Sequence, residues 1–174
     1  MAITINGTGS ITGLTAGGLP DGSIVEADLA SSVKLGKVLN AVVDYGPNSA
    51  TNITSTSFVD TGLEATITPS STSSKILVTV CFCPYIGGTG QARFEGQIVR
   101  DSTQIFYADP IAFRESSGQY KAAYGSMQVL DSPSTTSSVT YKFQALQQSG
   151  TDELVMSFSG WTNGPSITLL EIAS

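Results

Sequence analysis

The chain has no histidine and only two cysteines among its 174 residues. Without an imidazole, a Ser-His-Asp triad has no base, and no GxSxG stretch marks a nucleophile elbow. The thiols fare no better. Cys81 and Cys83 stand two apart in Val80-Cys81-Phe82-Cys83-Pro84, and without histidine or further cysteines a structural zinc site lacks ligands. On a strand the two share one face, a spacing that seldom reaches disulfide geometry, so both are expected as small buried hydrophobes. Neither a metal nor a cofactor is expected.

Charge is scarce too, at 13% of residues, with eight basic side chains against fourteen acidic ones and a net charge of −6. The basic residues are dispersed, which excludes the clustered cations that nucleic acid or an anionic membrane surface requires. No apolar run approaches the ~18 residues of a membrane span, so membrane insertion is not expected. Met1-Ala2-Ile3-Thr4-Ile5-Asn6-Gly7 lacks the basic and apolar regions of a signal peptide, which predicts synthesis in a cytoplasm without export by that route. With 40% hydrophobic residues the chain still has the apolar content of a globular domain.

What is present instead is hydroxyl and glycine. Pro69-Ser70-Ser71-Thr72-Ser73-Ser74 precedes Lys75-Ile76-Leu77-Val78, and Pro133-Ser134-Thr135-Thr136-Ser137-Ser138 precedes Val139-Thr140-Tyr141. Proline cannot donate to a ladder and short hydroxyl side chains compete for local backbone groups, so both runs read as connections between strands.

Residues 1–36 stand apart as a glycine-rich segment. Ser23-Ile24-Val25-Glu26 fits a capping box before Ala27-Asp28-Leu29-Ala30-Ser31-Ser32-Val33, which predicts one short helix. Two helical turns are marginal alone in water, so Ile24, Val25, Leu29 and Val33 need another surface.

From residue 37 to 174 the pattern has period two. It predicts strands over 38–45, 57–59, 63–68, 75–85, 92–100, 104–108, 120–130, 139–147, 153–158 and 167–172, with turns at Gly46-Pro47, Gly87–Gly90, Asp109-Pro110, Ser116–Gly118, Ser149-Gly150 and Asn163–Pro165. The expected fold is all-β, a jelly-roll sandwich of about 8–10 strands. The last strand, Ile167-Thr168-Leu169-Leu170-Glu171-Ile172, is too apolar to lie on an open edge. It is either central in a sheet or covered by another subunit.

Candidate chemistry is thin. Gly7-Thr8-Gly9-Ser10-Ile11-Thr12-Gly13 has no P-loop lysine, and its glycines serve turns. Asp152 and Glu153 are adjacent, so on a strand they face opposite ways and cannot work as a catalytic pair. No enzyme is expected. Asn6 and Asn52 match the glycosylation sequon without a secretory signal behind them. Trp161, the sole tryptophan, lies beside Asn163 among small polar residues. It suits a sugar-stacking platform, and equally a structural tryptophan sealing the end of a sandwich. Tyr85, Tyr107 and Asp109 are the other candidates for glycan or receptor contact.

The stretches Thr56–Leu63, Ile67–Val78, Leu130–Pro133, Ser137–Lys142 and Ser166–Ser174 together resemble the distal domain of tailed-bacteriophage fibre proteins, notably of phages that infect cyanobacteria and other aquatic hosts. Ile11–Leu14, Gly18–Ile24 and Ala27–Ala30 are similar to the linkers that precede such domains. The resemblance implies a homotrimeric virion component made in the bacterial host, with a jelly roll like that of C1q and tumour necrosis factor. It implies an N-terminal segment that attaches to other virion proteins, for which Ile3, Ile5, Ile11, Leu14 and Leu19 are the apolar candidates. Leu29, Val33, Leu169 and Ile172 are the expected trimer contacts. A fibre or spike tip would bind a host-surface glycan or protein through loops such as Gly87–Gln91 and Asp109–Gln119. Typical fibres have a longer shaft, so a capsid decoration or cement protein stands as the alternative, and a polysaccharide-degrading enzyme as a remote one.

Overall fold

The computed structural model describes residues 38–46, 50–88, 90–114, 125–156 and 165–173, all within the unit Gly36–Ser174. The expected N-terminal helix, the attachment residues Ile3, Ile5, Ile11, Leu14 and Leu19, and Leu29, Val33, Trp161 and Asn163 lie outside the described residues.

Among the described residues there is no helix. The strands are β1 (Val38–Tyr45), β2 (Thr51–Ile53), β3 (Val59–Ile67), β4 (Lys75–Phe82), β5 (Tyr85–Ile86), β6 (Ala92–Arg100), β7 (Thr103–Arg114), β8 (Gly125–Asp131), β9 (Val139–Gly150), β10 (Leu154–Met156) and β11 (Ser166–Ile172). Two antiparallel four-stranded sheets have the orders β1-β11-β4-β8 and β3-β9-β6-β7, and β2-β10-β5 forms a small third sheet. Counting only the strands of the two larger sheets, in chain order, the orders become 1-8-3-6 and 2-7-4-5, a jelly roll.

Strict alternation builds the core. β3 alternates buried and exposed along Thr61–Ile67, and β4 turns Ile76, Val78, Val80 and Phe82 inward. β9 contributes Val139, Tyr141, Phe143 and Ala145, and β11 contributes Ile167 and Leu169. Phe82 of the first sheet stacks on Phe143 of the second at 5.2 Å between ring centres, joining the two layers. Full burial of a side chain such as Phe143 is worth roughly 1.5–3 kcal/mol.

Both proline–hydroxyl runs pass from one sheet to the other. The first joins β3 to β4 and the second joins β8 to β9. Inside each, hydroxyls cap backbone amides: Ser71 Oγ accepts from Ser73 N, and Thr135 Oγ1 from Ser137 N. A carboxylate then ties the first run to the body of the fold, and another fixes the strand end that leads into the second. At the first, Glu171, itself 1% exposed, accepts from the amide and hydroxyl of Ser70, both at 2.6 Å. At the second, Asp131 accepts from Arg100 Nη1 at 2.7 and 2.9 Å and from the Tyr141 hydroxyl at 2.7 Å. Burial, together with that carboxylate, pushes the Tyr141 hydroxyl far above its ordinary range.

Several expectations need correction. The two strands expected at 57–59 and 63–68 form one, β3, because Gly62 takes a φ of +88° at a bulge that keeps the strand running. Asp109-Pro110 is no turn. It lies inside β7, at a bulge on an edge strand, where a residue without an N–H costs no ladder bond. Cys81 and Cys83 do not share a face: β4 ends at Phe82, leaving Cys81 exposed and Cys83 buried. β2 is a strand that the alternation did not foretell.

The terminal strand resolves the alternative posed by its apolarity. β11 sits between β1 and β4, so its backbone is paired on both sides. Leu169 is fully buried within the protomer's own core and has no surface left for a partner. It is therefore not a trimer contact. Ile172 lies on the opposite, outer face and is half-buried.

Candidate functional site

The outer faces of the two large sheets are built differently, and the register shows how. On the first sheet, cross-strand partners line up as Val38–Ile172–Lys75, then Ala41–Leu170–Leu77–Leu130, then Val43–Thr168–Thr79–Gln128, then Tyr45–Ser166–Cys81–Ser126. The second row is apolar across all four strands. Val38, Leu39, Val43, Tyr45 and Leu130 are each more than two-fifths exposed, and Lys75 is the one charged side chain in these rows.

The outer face of the second sheet carries a polar network instead. Gln97 donates to Gln144, which donates in turn to Asp60, and Lys142 bridges Asp60 and Glu64 at 3.1 Å to each. The amide of Gln144 and the ammonium of Lys142 hold the Asp60 carboxyl below its ordinary value, against the effect of partial burial. Thr66 and Thr140 pair hydroxyl to hydroxyl at 2.8 Å.

Toward β7, the last described strand of this sheet, the face becomes a groove of about 350 Å³. Ser149, Arg93 and Phe113 come from β9, β6 and β7 and are cross-strand neighbours in one outward row. Arg93 and Asp109 form a fork: Nε donates to Oδ1 at 3.0 Å and Nη2 to Oδ2 at 2.8 Å. Pro110 and Phe113 complete the wall, and Phe113 is 57% exposed. Beside the groove, the Tyr107 hydroxyl donates to Glu95 at 2.8 Å, and Phe58 meets the Tyr107 ring edge-to-face at 6.4 Å. The hydrogen bond to Glu95 raises the Tyr107 hydroxyl above its usual range. The fork likewise raises the Arg93 guanidinium.

Beneath the groove lies a structural ion pair. Arg114, 4% exposed, pairs with the buried Asp152 and donates to the carbonyls of Ile86, Gly87 and Gly90. Asp152 also accepts from Gly90 N. Gly87 N also donates to Glu153 O, and Thr151 N to Gln91 O, so the backbone of Gly87, Gly90 and Gln91 is held from both sides. Gly150 closes this corner at a φ of +100°, so close to the Gln91 carbonyl that no Cβ fits.

Of the expected contact residues, Tyr107 and Asp109 are brought together, two apart on the outward face of β7. Tyr85 is not with them: it sits opposite Val155 in the small third sheet. Arg93, Phe113 and Ser149 were missed. The alternation Arg93-Phe94-Glu95 and Ala112-Phe113-Arg114 carried a signal for the outward Arg93, but Phe113 reads as an ordinary inward aromatic until the register is known. Among the described residues no cluster of metal-ligating side chains occurs.

No protein-family model matches the chain, and no curated protein does. Among solved structures the chain is similar to dimeric latent PorU from Porphyromonas gingivalis, at 13% identity and a TM-score of 0.39. The likeness covers 77% of this chain and 12% of that one, and it carries no argument about function.

Proposed function

We propose that the protein is a structural component of a bacteriophage particle, a short trimeric tail fibre or spike. Its β-domain meets the host cell surface and its N-terminal segment attaches it to the tail. The observation that carries this reading is the apolar outer row Ala41–Leu170–Leu77–Leu130, flanked by exposed Val38, Leu39, Val43 and Tyr45. A solvated sheet face normally alternates to polar residues. A contiguous apolar patch of this kind instead marks an interface, and a second and third copy of the chain supply a matching surface by symmetry. The resemblance of the Pro–Ser/Thr crossovers and their flanks to phage fibre domains supports the trimer and the virion setting. With its partners in place, the apolar sheet turns inward and the polar sheet, with its groove, turns out to the host.

Two measurements test this. Light scattering of the purified chain gives three protomers per particle; a stable monomer at micromolar concentration overturns the assembly. Gold-labelled antibody against the chain marks phage tails in electron micrographs; label on capsids overturns the fibre placement in favour of a decoration protein.

A further inference from the structure

We propose that the groove lined by Arg93, Pro110, Phe113 and Ser149, with Asp109 held beside it on Arg93, binds a neutral pyranose, and that it does not take acidic sugars. This deepens, and rests on, the reading of the β-domain as a binder of the host surface.

The argument starts from the fork. Asp109 uses both carboxylate oxygens on Arg93, and Arg93 spends two of its five N–H donors on them. The remaining donors and lone pairs lie in one plane, side by side, held by the pair itself. Adjacent hydroxyls on a sugar ring present a matching donor and acceptor. One hydroxyl can donate to the carboxylate while its neighbour accepts from the guanidinium, without either charge losing its partner.

Phe113 supplies the second half. Its exposed ring shares an outward row with Arg93, so an apolar ring face stands next to the fork. A pyranose has one face of C–H groups and a rim of hydroxyls, which fits an aromatic wall beside a polar pair. An apolar ligand would strip water from the fork and return no hydrogen bond.

Charge decides between neutral and acidic sugars. Asp109 already neutralises Arg93, and Arg114 below is committed to Asp152 and three carbonyls. Among the described residues, the charged side chains on this outer face are Arg93 and Lys142 against Asp60, Glu64, Glu95 and Asp109. A carboxylate, sulfate or phosphate ligand therefore meets an excess of negative charge. The open groove covers only part of a sugar, so a single site is weak, of the order of millimolar. Three copies in one trimer compensate through multivalency.

The test is saturation-transfer NMR on the intact protein with the methyl glycosides of galactose, glucose, mannose and galacturonic acid. At least one neutral glycoside is expected to receive saturation, and galacturonate less than galactose. Phe113→Ala and Asp109→Asn, both at outward positions, are each expected to weaken the response about tenfold or more, with an unchanged melting temperature. The inference is overturned if no neutral glycoside responds, if galacturonate binds better than galactose, or if both variants bind like the wild type. Adsorption of fluorescent protein to the bacterium that the phage infects separates this from the broader reading. Adsorption that survives Phe113→Ala sinks the groove and keeps host binding, as a protein receptor contacted elsewhere would. Glycoside binding without adsorption keeps the groove and sinks host binding.

Discussion

The two large sheets share one inner logic and have opposite outer faces. Inward, both alternate cleanly and meet at the Phe82–Phe143 stack. Outward, the β3-β9-β6-β7 sheet satisfies itself: Asp60, Glu64, Lys142, Gln144 and Gln97 bond to one another, and Tyr107, Glu95, Arg93 and Asp109 pair off beside the groove. The β1-β11-β4-β8 sheet carries leucine, valine and tyrosine to its surface with almost no charge among them. Water serves the first face well and the second poorly. That difference is the ground on which the proposal assigns a partner copy to one face and a soluble ligand to the other.

The largest expected effect comes from charge placed inside rather than outside. Arg114→Leu leaves the Asp152 carboxylate buried against Gly88 and Gly90 without its cation. Such a break costs about 3–5 kcal/mol, read as a drop in the urea midpoint at unchanged slope. A loss under about 1 kcal/mol would mean that water reaches this corner.

Next is the apolar outer face. Leu130→Glu and Val43→Glu lie at exposed positions on the two edge strands, so the protomer's fold is expected to survive. Each change puts an unpaired charge in the proposed interface, and dissociation into monomers at micromolar concentration is the expected result. Variants that remain trimeric would place the interface elsewhere.

Glu171→Gln tests the clamp on the first crossover. Burial alone would raise the Glu171 carboxyl, but the bonds donated by Ser70, with the Ser74 hydroxyl, outweigh it and hold the group below its ordinary 4.5. A lowered carboxyl stabilises the fold above that value, and the stabilisation fades as pH falls through and below it. The variant is therefore expected to lose roughly 1.5–3 kcal/mol at neutral pH and much less in acid, flattening the acid limb of the stability curve. An unchanged pH profile in thermal melts would remove Glu171 from that role.

The smallest effect is expected where the charges are most visible. Lys142→Met disrupts the contacts to Asp60 and Glu64 on the second sheet's outer face, yet exposed pairs of this kind contribute less than about 1 kcal/mol. The loss shrinks further in high salt. A cost as large as that of Arg114→Leu would erase the distinction between inner and outer charge.

Much of this fold was legible in the sequence, because burial with period two is a local signal. The bounds of β1 and β6 and most of β9 and β11 follow from alternation alone. The misreadings fell where backbone geometry overrides composition. Gly62 and Pro110 look like strand breakers, but at a bulge and on an edge strand neither breaks anything. The groove was half legible. Tyr107 and Asp109 stood out because they flank an expected loop, whereas Arg93, Phe113 and Ser149 meet only through the register of three strands. Register depends on the whole sheet, and no local pattern encodes it.

The place of β11 between β1 and β4 also sets a timetable. The first sheet begins with β1, yet among the described residues β1 has no neighbour in it other than β11, the last strand in chain order. Until that strand arrives, β1 waits unpaired and β4 offers an open edge to any passing chain. Closing so wide a loop belongs to the slow, non-local regime of folding, milliseconds to seconds rather than microseconds. A ribosome stalled before Ser166 would therefore hold a chain with an unfinished first sheet. The Ser70–Glu171 clamp closes only after synthesis has passed that point.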